Sequence, residues 1–389
     1  MSKILLNSEL LNKVFDGKDI TKEEAYQIYQ ESESNPFEIY KAAQILRNMN
    51  NGKTVTYSRK VFFNLINLCR DTCSYCTYKA EPGESKVSMM SKQDISNLAL
   101  VGRKYKCTEA LFVTGERPEQ KYSEARAWLK ENGFSSTIEY LVHASEMVLD
   151  AGLFPHTNAG NLTKSEMSEL KKTNPSIGVM LENSSERLVE KQMPHEFAPS
   201  KNPRARIRVL ENAGELSMPM TTGLLIGIGE SPFELIDSIF TIKSIHEKHG
   251  HIQEVILQNF QPKPDTVMRN VPGPEERYFK TLVALTRLIM PKMNIQIPPN
   301  LSPDSYPDFL QTGINDWGGI SPITPDYVNP EFSWPSIDTV QKNCENAGFE
   351  LRARFPVYPK FFSMVESNLQ SKMSEIADSD NLVSKEYLR

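Results

Sequence analysis

Residues 61–76 read Val-Phe-Phe-Asn-Leu-Ile-Asn-Leu-Cys-Arg-Asp-Thr-Cys-Ser-Tyr-Cys, an apolar run that passes directly into three closely spaced cysteines. The run Val61–Leu68 has the length and composition of a buried parallel strand. Cys69, Cys73 and Cys76 then fall in the loop at its C-terminal end. A disulfide between residues this close is awkward, and a chain with five cysteines in 389 residues is no disulfide scaffold. Metal ligation is the first expectation. Cys107 and Cys344 have no cysteine neighbour.

Seven further apolar runs follow: Ala110–Thr114, Leu153–His156, Ile177–Leu181, Met218–Ile226, Glu254–Phe260, Ile295–Pro298 and a weak Ile314–Asp316. Amphipathic stretches separate them, at Ser91–Tyr105, Ser123–Asn132, Thr163–Lys172, Pro203–Ala213, Phe233–His249 and Glu275–Ile289. Thr163 and Glu166 have capping-box spacing. Eight strands alternating with helices predict an α/β fold, a (β/α) TIM-type barrel. No strand runs into a GxGxxG turn, which weakens a dinucleotide-binding alternative. The barrel is expected over 51–325, with a helical lead-in over 1–50 carried by Leu11, Val14, Ile39, Ala42 and Leu46. Residues 326–389 read as a C-terminal extension, opening rich in Pro and Gly, then a helix near Ser336–Ala347 and a polar tail.

The charge balance is 44 − 49 = −5. Such a chain has no field to attract polyanions, so no nucleic-acid partner is expected. No window approaches a membrane span, and the opening MSKILLNSELLNK is broken by Asn7, Ser8 and Glu9 where a signal peptide needs a continuous apolar core. The expectation is a cytoplasmic protein without a membrane partner.

Three thiolates in C-x3-C-x2-C can hold three irons of a cubane and leave the fourth open to a small molecule. The other readings are a zinc site or three unrelated buried thiols. A structural zinc ordinarily takes four ligands, and no second cysteine pair is present. With Tyr75 before the last cysteine, the motif C-x3-C-x-Φ-C resembles that of the radical S-adenosylmethionine (SAM) superfamily. That resemblance implies a full or partial (β/α) barrel and a [4Fe–4S] cluster on Cys69, Cys73 and Cys76, with SAM on the open iron. It also implies SAM contacts at later strand ends. Beside Tyr75, these are Gly115 and Glu116 in Thr114-Gly115-Glu116 for the methionine amino group, although Thr114 replaces the first glycine of that element. Glu182 and Ser184 are implied for the ribose, Arg206 for the SAM carboxylate, and Gly227 and Gly229 in Gly223–Glu230 for packing on adenine. The plain alternatives are solvated loop carboxylates, an exposed basic helix face, and glycines that merely permit close packing.

Longer stretches narrow the resemblance: Leu68–Thr77, Gly115–Glu119, Pro155–Asn161, Gly250–Val255, Gln258–Pro264 and Asp316–Pro322. Together, over about Val61–Pro359, they are similar to the ring-closing subunit of 7,8-didemethyl-8-hydroxy-5-deazariboflavin (FO) synthase. Glu116 stands where that family more often has Asp, and Gln261 where it has Arg. The resemblance implies a radical SAM lyase in coenzyme F420 biosynthesis, a partner radical SAM subunit that forms the tyrosine adduct, and an external electron donor. Barrel active sites lie at the C-terminal strand ends. The small-molecule substrate is therefore expected at His156, Asn158 and Asn161 after the third strand, Gln258 and Asn259 on the sixth, Asn300 after the seventh and Asp316 after the eighth. Gln258 and Asn259 are neighbours on a strand, so only one can face the lumen. Another biotin-synthase-like radical SAM enzyme and a non-enzymatic metal-binding protein are the competing readings.

Overall fold

The computed structural model describes residues 8–389. Eight parallel strands form the barrel: β1 (Thr54–Ile66), β2 (Glu109–Thr114), β3 (Phe154–Asn158), β4 (Ser176–Gly178), β5 (Met220–Ile226), β6 (Ile252–Asn259), β7 (Asn294–Gln296) and β8 (Asp316–Ile320). Each pairs with the next, β8 pairs with β1, and β1 with β2 closes the ring. Period-2 alternation explains why these segments become strands. On β1, Val61, Phe63 and Leu65 are fully buried in the main hydrophobic core, while Lys60 and Phe62 line the lumen.

Local chemistry fixes the helix starts. Capping boxes open Lys92–Lys104 at Ser91, Lys164–Lys171 at Thr163 and Pro232–His249 at Ser231. The sequence reading omits the helix Thr137–Asp150, whose signals are its Ser136 cap and the spacing of Leu141, Ala144 and Val148, all buried.

β1 begins seven residues before the expected Val61, because its first half has a partner no local pattern reveals. That partner is β9 (Glu350–Arg354), from the region read as an extension; it pairs with Thr54–Ser58 in parallel. Arg354 thereby enters the barrel base. Its Nε lies 2.7 Å from Asp316 Oδ2 and its Nη2 2.9 Å from Glu254 Oε1, and the Tyr358 hydroxyl donates to Glu254 at 2.6 Å. Asp316 is therefore the first residue of β8, at the base, and not a residue beyond its C-terminal end.

The helices Lys22–Ser32 and Phe37–Asn51 pack against the helix Glu276–Ile289, with Tyr29 edge-on to Tyr278 at 6.3 Å, and the helix Glu9–Phe15 packs on the first two. Residues 1–7 of the expected lead-in lie outside the described residues. Among the described residues no helix is long and apolar enough to cross a membrane.

Candidate active site

The cysteine loop leaves β1 at Ile66 and is held by backbone contacts on every side. Arg70 N–H donates to Glu116 at 2.9 Å, Thr72 N–H to Phe197 at 2.7 Å and Ser74 N–H to Pro194 at 2.9 Å. Gly115 permits the tightest of these approaches: a Cβ there would lie 1.8 Å from the Leu68 carbonyl oxygen. All three cysteine thiols are partly buried and line one cavity of about 330 Å³ that runs down the barrel to Arg354 and Pro356.

Burial pushes the Cys69 thiol up to about 11 and Cys73 up to about 12. When free, these two thiols hold their protons, and a metal must displace them. Glu116 N–H already donates to Cys69 Sγ at 3.2 Å, a contact that favours the thiolate. Among the described residues no three His, Cys, Asp or Glu are placed to hold a single metal ion. A cubane puts each thiolate on its own iron, so spaced cysteines suit a cluster better than a mononuclear zinc.

Tyr75, Glu116, Glu182 and Arg206 converge on the cavity wall beside the cysteines. Burial lifts the Glu116 carboxyl above its ordinary value against the pull of Arg206. Its Oε2 accepts from Asn161 N–H at 3.0 Å. Its Oε1 has no hydrogen-bond partner, although Arg70 stands 3.6 Å away. An unspent buried carboxylate oxygen is suited to an ammonium donor. Glu182 is held with φ 64°, a conformation costing roughly 1–3 kcal/mol outside glycine, and it is ion-paired with Lys201. Arg206 donates to the Ser200 carbonyl at 2.9 Å and the Met180 carbonyl at 3.2 Å.

Other expected contacts lie off the cavity. The Ser184 hydroxyl is 3.0 Å from that of Ser238, pointing to the surrounding helix. Gly227 and Gly229 form the turn after β5, where Gly227 N–H donates to Glu230 at 2.7 Å; the cavity is reached instead by Leu225. Asn161 donates to the Ser200 carbonyl at 2.9 Å. Asn300 donates to Asp326 at 3.1 Å and to the Phe332 carbonyl at 3.2 Å, fixing the segment that covers the mouth. Asn259 donates to the Leu301 carbonyl at 2.9 Å, on the outer side of β6. Gln258, its strand neighbour, faces the lumen with Asn158 and His156. His156 lies within β3, its Nδ1 2.6 Å from Ser176 Oγ, and burial lowers it to about 4.

Sequence reasoning missed several residues that the geometry brings in. His195 meets Tyr75 at 2.9 Å. Lys263 is buried and donates to the Val328 carbonyl at 2.6 Å, tying the β6 loop to the covering segment. Lys60, Glu109, Glu254 and Gln296 line the lower lumen. Glu254 and Gln258 share a face at strand spacing, a readable signal; Arg354 has none, since it arrives from a distant strand.

Residues 63–242 match the Radical SAM superfamily. Over 329 residues the chain is 44% identical to the 7,8-didemethyl-8-hydroxy-5-deazariboflavin synthase of Methanopyrus kandleri, covering 84% of this chain and 98% of that one. It is 42% identical over 357 residues to the protein of the same name from Methanococcus maripaludis, covering 92% and 99%. The FO synthase of Nocardia farcinica is 44% identical over 316 residues, 79% of this chain and 36% of that longer one. Among solved structures, the FeFe-hydrogenase maturase HydG from Carboxydothermus hydrogenoformans superposes with TM-score 0.71 at 20% identity, covering 94% of this chain and 87% of that. Methylornithine synthase (PylB) gives 0.70 at 16%, covering 92% and 100%. At such identities the structures speak for the barrel alone. The sequence relatives, at more than 40% identity over nearly the whole chain, say more: this protein is a radical SAM enzyme and belongs to the 7,8-didemethyl-8-hydroxy-5-deazariboflavin synthase family.

Proposed function

We propose that the chain closes the deazaflavin ring of FO in coenzyme F420 biosynthesis. It converts 5-amino-5-(4-hydroxybenzyl)-6-(D-ribitylimino)-5,6-dihydrouracil to FO with release of ammonia, spending SAM to methionine and 5′-deoxyadenosine. The observation that carries this reading is the single cavity joining the three cysteines to a polar lumen.

Cys69, Cys73 and Cys76 would hold the [4Fe–4S] cluster. The free oxygen of Glu116 would take the SAM amino group, Arg206 its carboxylate, and Glu182 the ribose hydroxyls, with Tyr75 and Leu225 forming the wall. Cluster and SAM, when bound, supply a radical that removes a hydrogen atom from the substrate. The chain's own work is to bind, orient and enclose. Gln258, Asn158 and His156 present polar groups to the adduct from below. The segment around Asp326–Trp334, anchored through Asn300 and Lys263, keeps water from the reacting atoms.

The adduct requires a source, and a tyrosine-adduct-forming radical SAM subunit is the natural partner. The Nocardia relative supports this, because the matched stretch takes up 36% of it and leaves room for a second catalytic unit in the same chain. Reduction requires an external electron donor. The test is anaerobic incubation of cluster-replete protein with purified adduct, SAM and reductant. Fluorescent FO is expected, and SAM cleavage without FO would exclude the reaction.

A further inference from the structure

Barrels of this kind ordinarily fill their interior with layers of Val, Ile and Leu. Here the lower lumen holds Lys60, Glu109, His156 and Gln296, all lining the cavity. Glu109, His156 and Gln296 are more than nine-tenths buried, and the Lys60 side chain is 12% exposed. Burying so much polarity costs stability unless it is bonded. The protein does not use up this bonding capacity itself. Lys60 Nζ lies 3.1 Å from one Glu109 oxygen, and Ser58 donates to the other. His156 commits Nδ1 to Ser176, and among the described residues its Nε2 has no hydrogen bond. The Gln296 amide has no hydrogen-bond partner among the described residues.

Strand β8 makes the room for these side chains. A Cβ on Gly319 would lie 1.3 Å from Lys60 Cε, and one on Gly318 would lie 1.9 Å from Gln296 Nε2. The paired glycines after Trp317 thus let two long polar side chains lie across the lumen. Above them the walls turn flat and apolar. Phe62 stacks on Trp334 with 5.5 Å between centroids and 24° between planes, and Leu111, Val113 and Ile256 complete the surface below the cysteine loop. A matching ligand has planar rings at one end and a flexible chain of hydroxyls at the other.

We propose that Lys60, Glu109, His156 and Gln296 form a polyol subsite that takes the ribityl chain of the substrate, so that its rings stand above, toward the cysteines. The proposal rests on the ring-closing reading given above. An ion pair offers a charged donor and a charged acceptor to adjacent hydroxyls, and a partnerless amide offers both kinds of bond.

The experiment is calorimetric titration of cluster-replete protein with FO and with the same deazaflavin carrying a methyl group in place of the ribityl chain. The wild type is expected to bind FO at least tenfold more tightly. Gln296→Leu exchanges a partnerless amide for an aliphatic of similar size and should fold. It is expected to cut the preference to threefold or less, with iron content and thermal midpoint unchanged. A double variant, Lys60→Met with Glu109→Gln, removes both charges together and should act in the same direction. Equal binding of the two ligands by the wild type overturns the subsite, as does an undiminished preference in the folded Gln296→Leu protein. FO formation from the adduct is scored separately. No turnover with the tenfold preference intact defeats the ring-closing reading and leaves the polyol subsite standing. Turnover with equal binding defeats the subsite alone.

Discussion

The Tyr75 hydroxyl lies 2.9 Å from His195 Nε2, with the two rings edge to face at 5.6 Å. This contact ties the residue between the last two cysteines to the segment that also receives the backbone of Ser74. His195 is buried and Tyr75 half-buried, and burial with nearby Lys201 and Arg206 lowers His195 to about 3. Tyr75→Phe leaves a buried ring nitrogen without its partner, at a cost of about 1–3 kcal/mol. The expected outcome is a lower thermal midpoint of the metal-free protein and faster loss of iron to a chelator from the loaded one. A variant matching the wild type in both would show that the contact does not brace the loop.

Glu182 is ion-paired with Lys201 at the cavity wall. Glu182→Gln keeps an oxygen for Lys201 but removes the charge from any hydrogen bond to the ribose. SAM binding should weaken by about 1–3 kcal/mol with iron content unchanged. Equal SAM affinity in a cluster-replete variant excludes the ribose role.

The two neighbours on β6 should fail in different ways. Gln258 faces the lumen, and its replacement by Ala should reduce FO formation while leaving SAM cleavage in the absence of substrate at the wild-type rate. Asn259 faces outward onto the Leu301 carbonyl. Asn259→Ala should instead cost about 1–3 kcal/mol of stability, as an acceptor loses its buried donor. Denaturant melts and product assays on the two variants check the division; a reversed pattern would mean that the strand register is wrong.

Much of this site is legible in the amino-acid sequence alone, because period-2 alternation and a contiguous cysteine motif are local signals. The cysteine loop and Gln258 come from such signals, whereas Glu116 and Glu182 are singled out only by the resemblance to the radical SAM superfamily. Ser184 and Asn259 show where local reading runs out, since each is polar and near a strand end yet points to an outer neighbour. Asp316 shows a second limit. A weak apolar run at 314–316 places the strand end too early, because Asp-Trp-Gly-Gly does not look like a strand until Arg354 is there to pair with its carboxylate. Lys60 and Glu109 each sit one residue before an apolar run, and extending the alternation by one step finds both.

Arg354 itself gives a strong test. Arg354→Met leaves Glu254 and Asp316 buried without their cation, which should cost about 3–5 kcal/mol. Unfolding in denaturant should show it, and an unchanged midpoint would mean that water already screens this base.

Acid sensitivity should carry a histidine signature. His251 is fully buried, and burial together with His249 holds it to about 4, below the unfolded value of about 6.5. Between those values the unfolded chain binds a proton that the folded chain refuses. Stability from this group is therefore complete above pH 6.5 and lost as pH falls toward 4, at up to about 1.4 kcal/mol per unit. Glu254, raised to about 7 by burial, acts in the opposite sense, so the comparison is between wild type and His251→Phe, where Glu254 cancels. The wild type should lose more stability than the variant over this window. Parallel curves would show that His251 is already protonated when folded.

The pairing of Thr54 with Glu350 sets an order of events at the ribosome. Strands β1 to β8 emerge one after another, and each can meet a neighbour that is already outside the exit tunnel. The lower half of β1 has to wait until all eight barrel strands and β9 have been made before its last partner appears. A nascent chain arrested before residue 350 would carry the complete cysteine loop above a bottomless barrel, with Glu254 and Asp316 lacking Arg354. The machinery for making a radical is thus translated well before the floor that confines it.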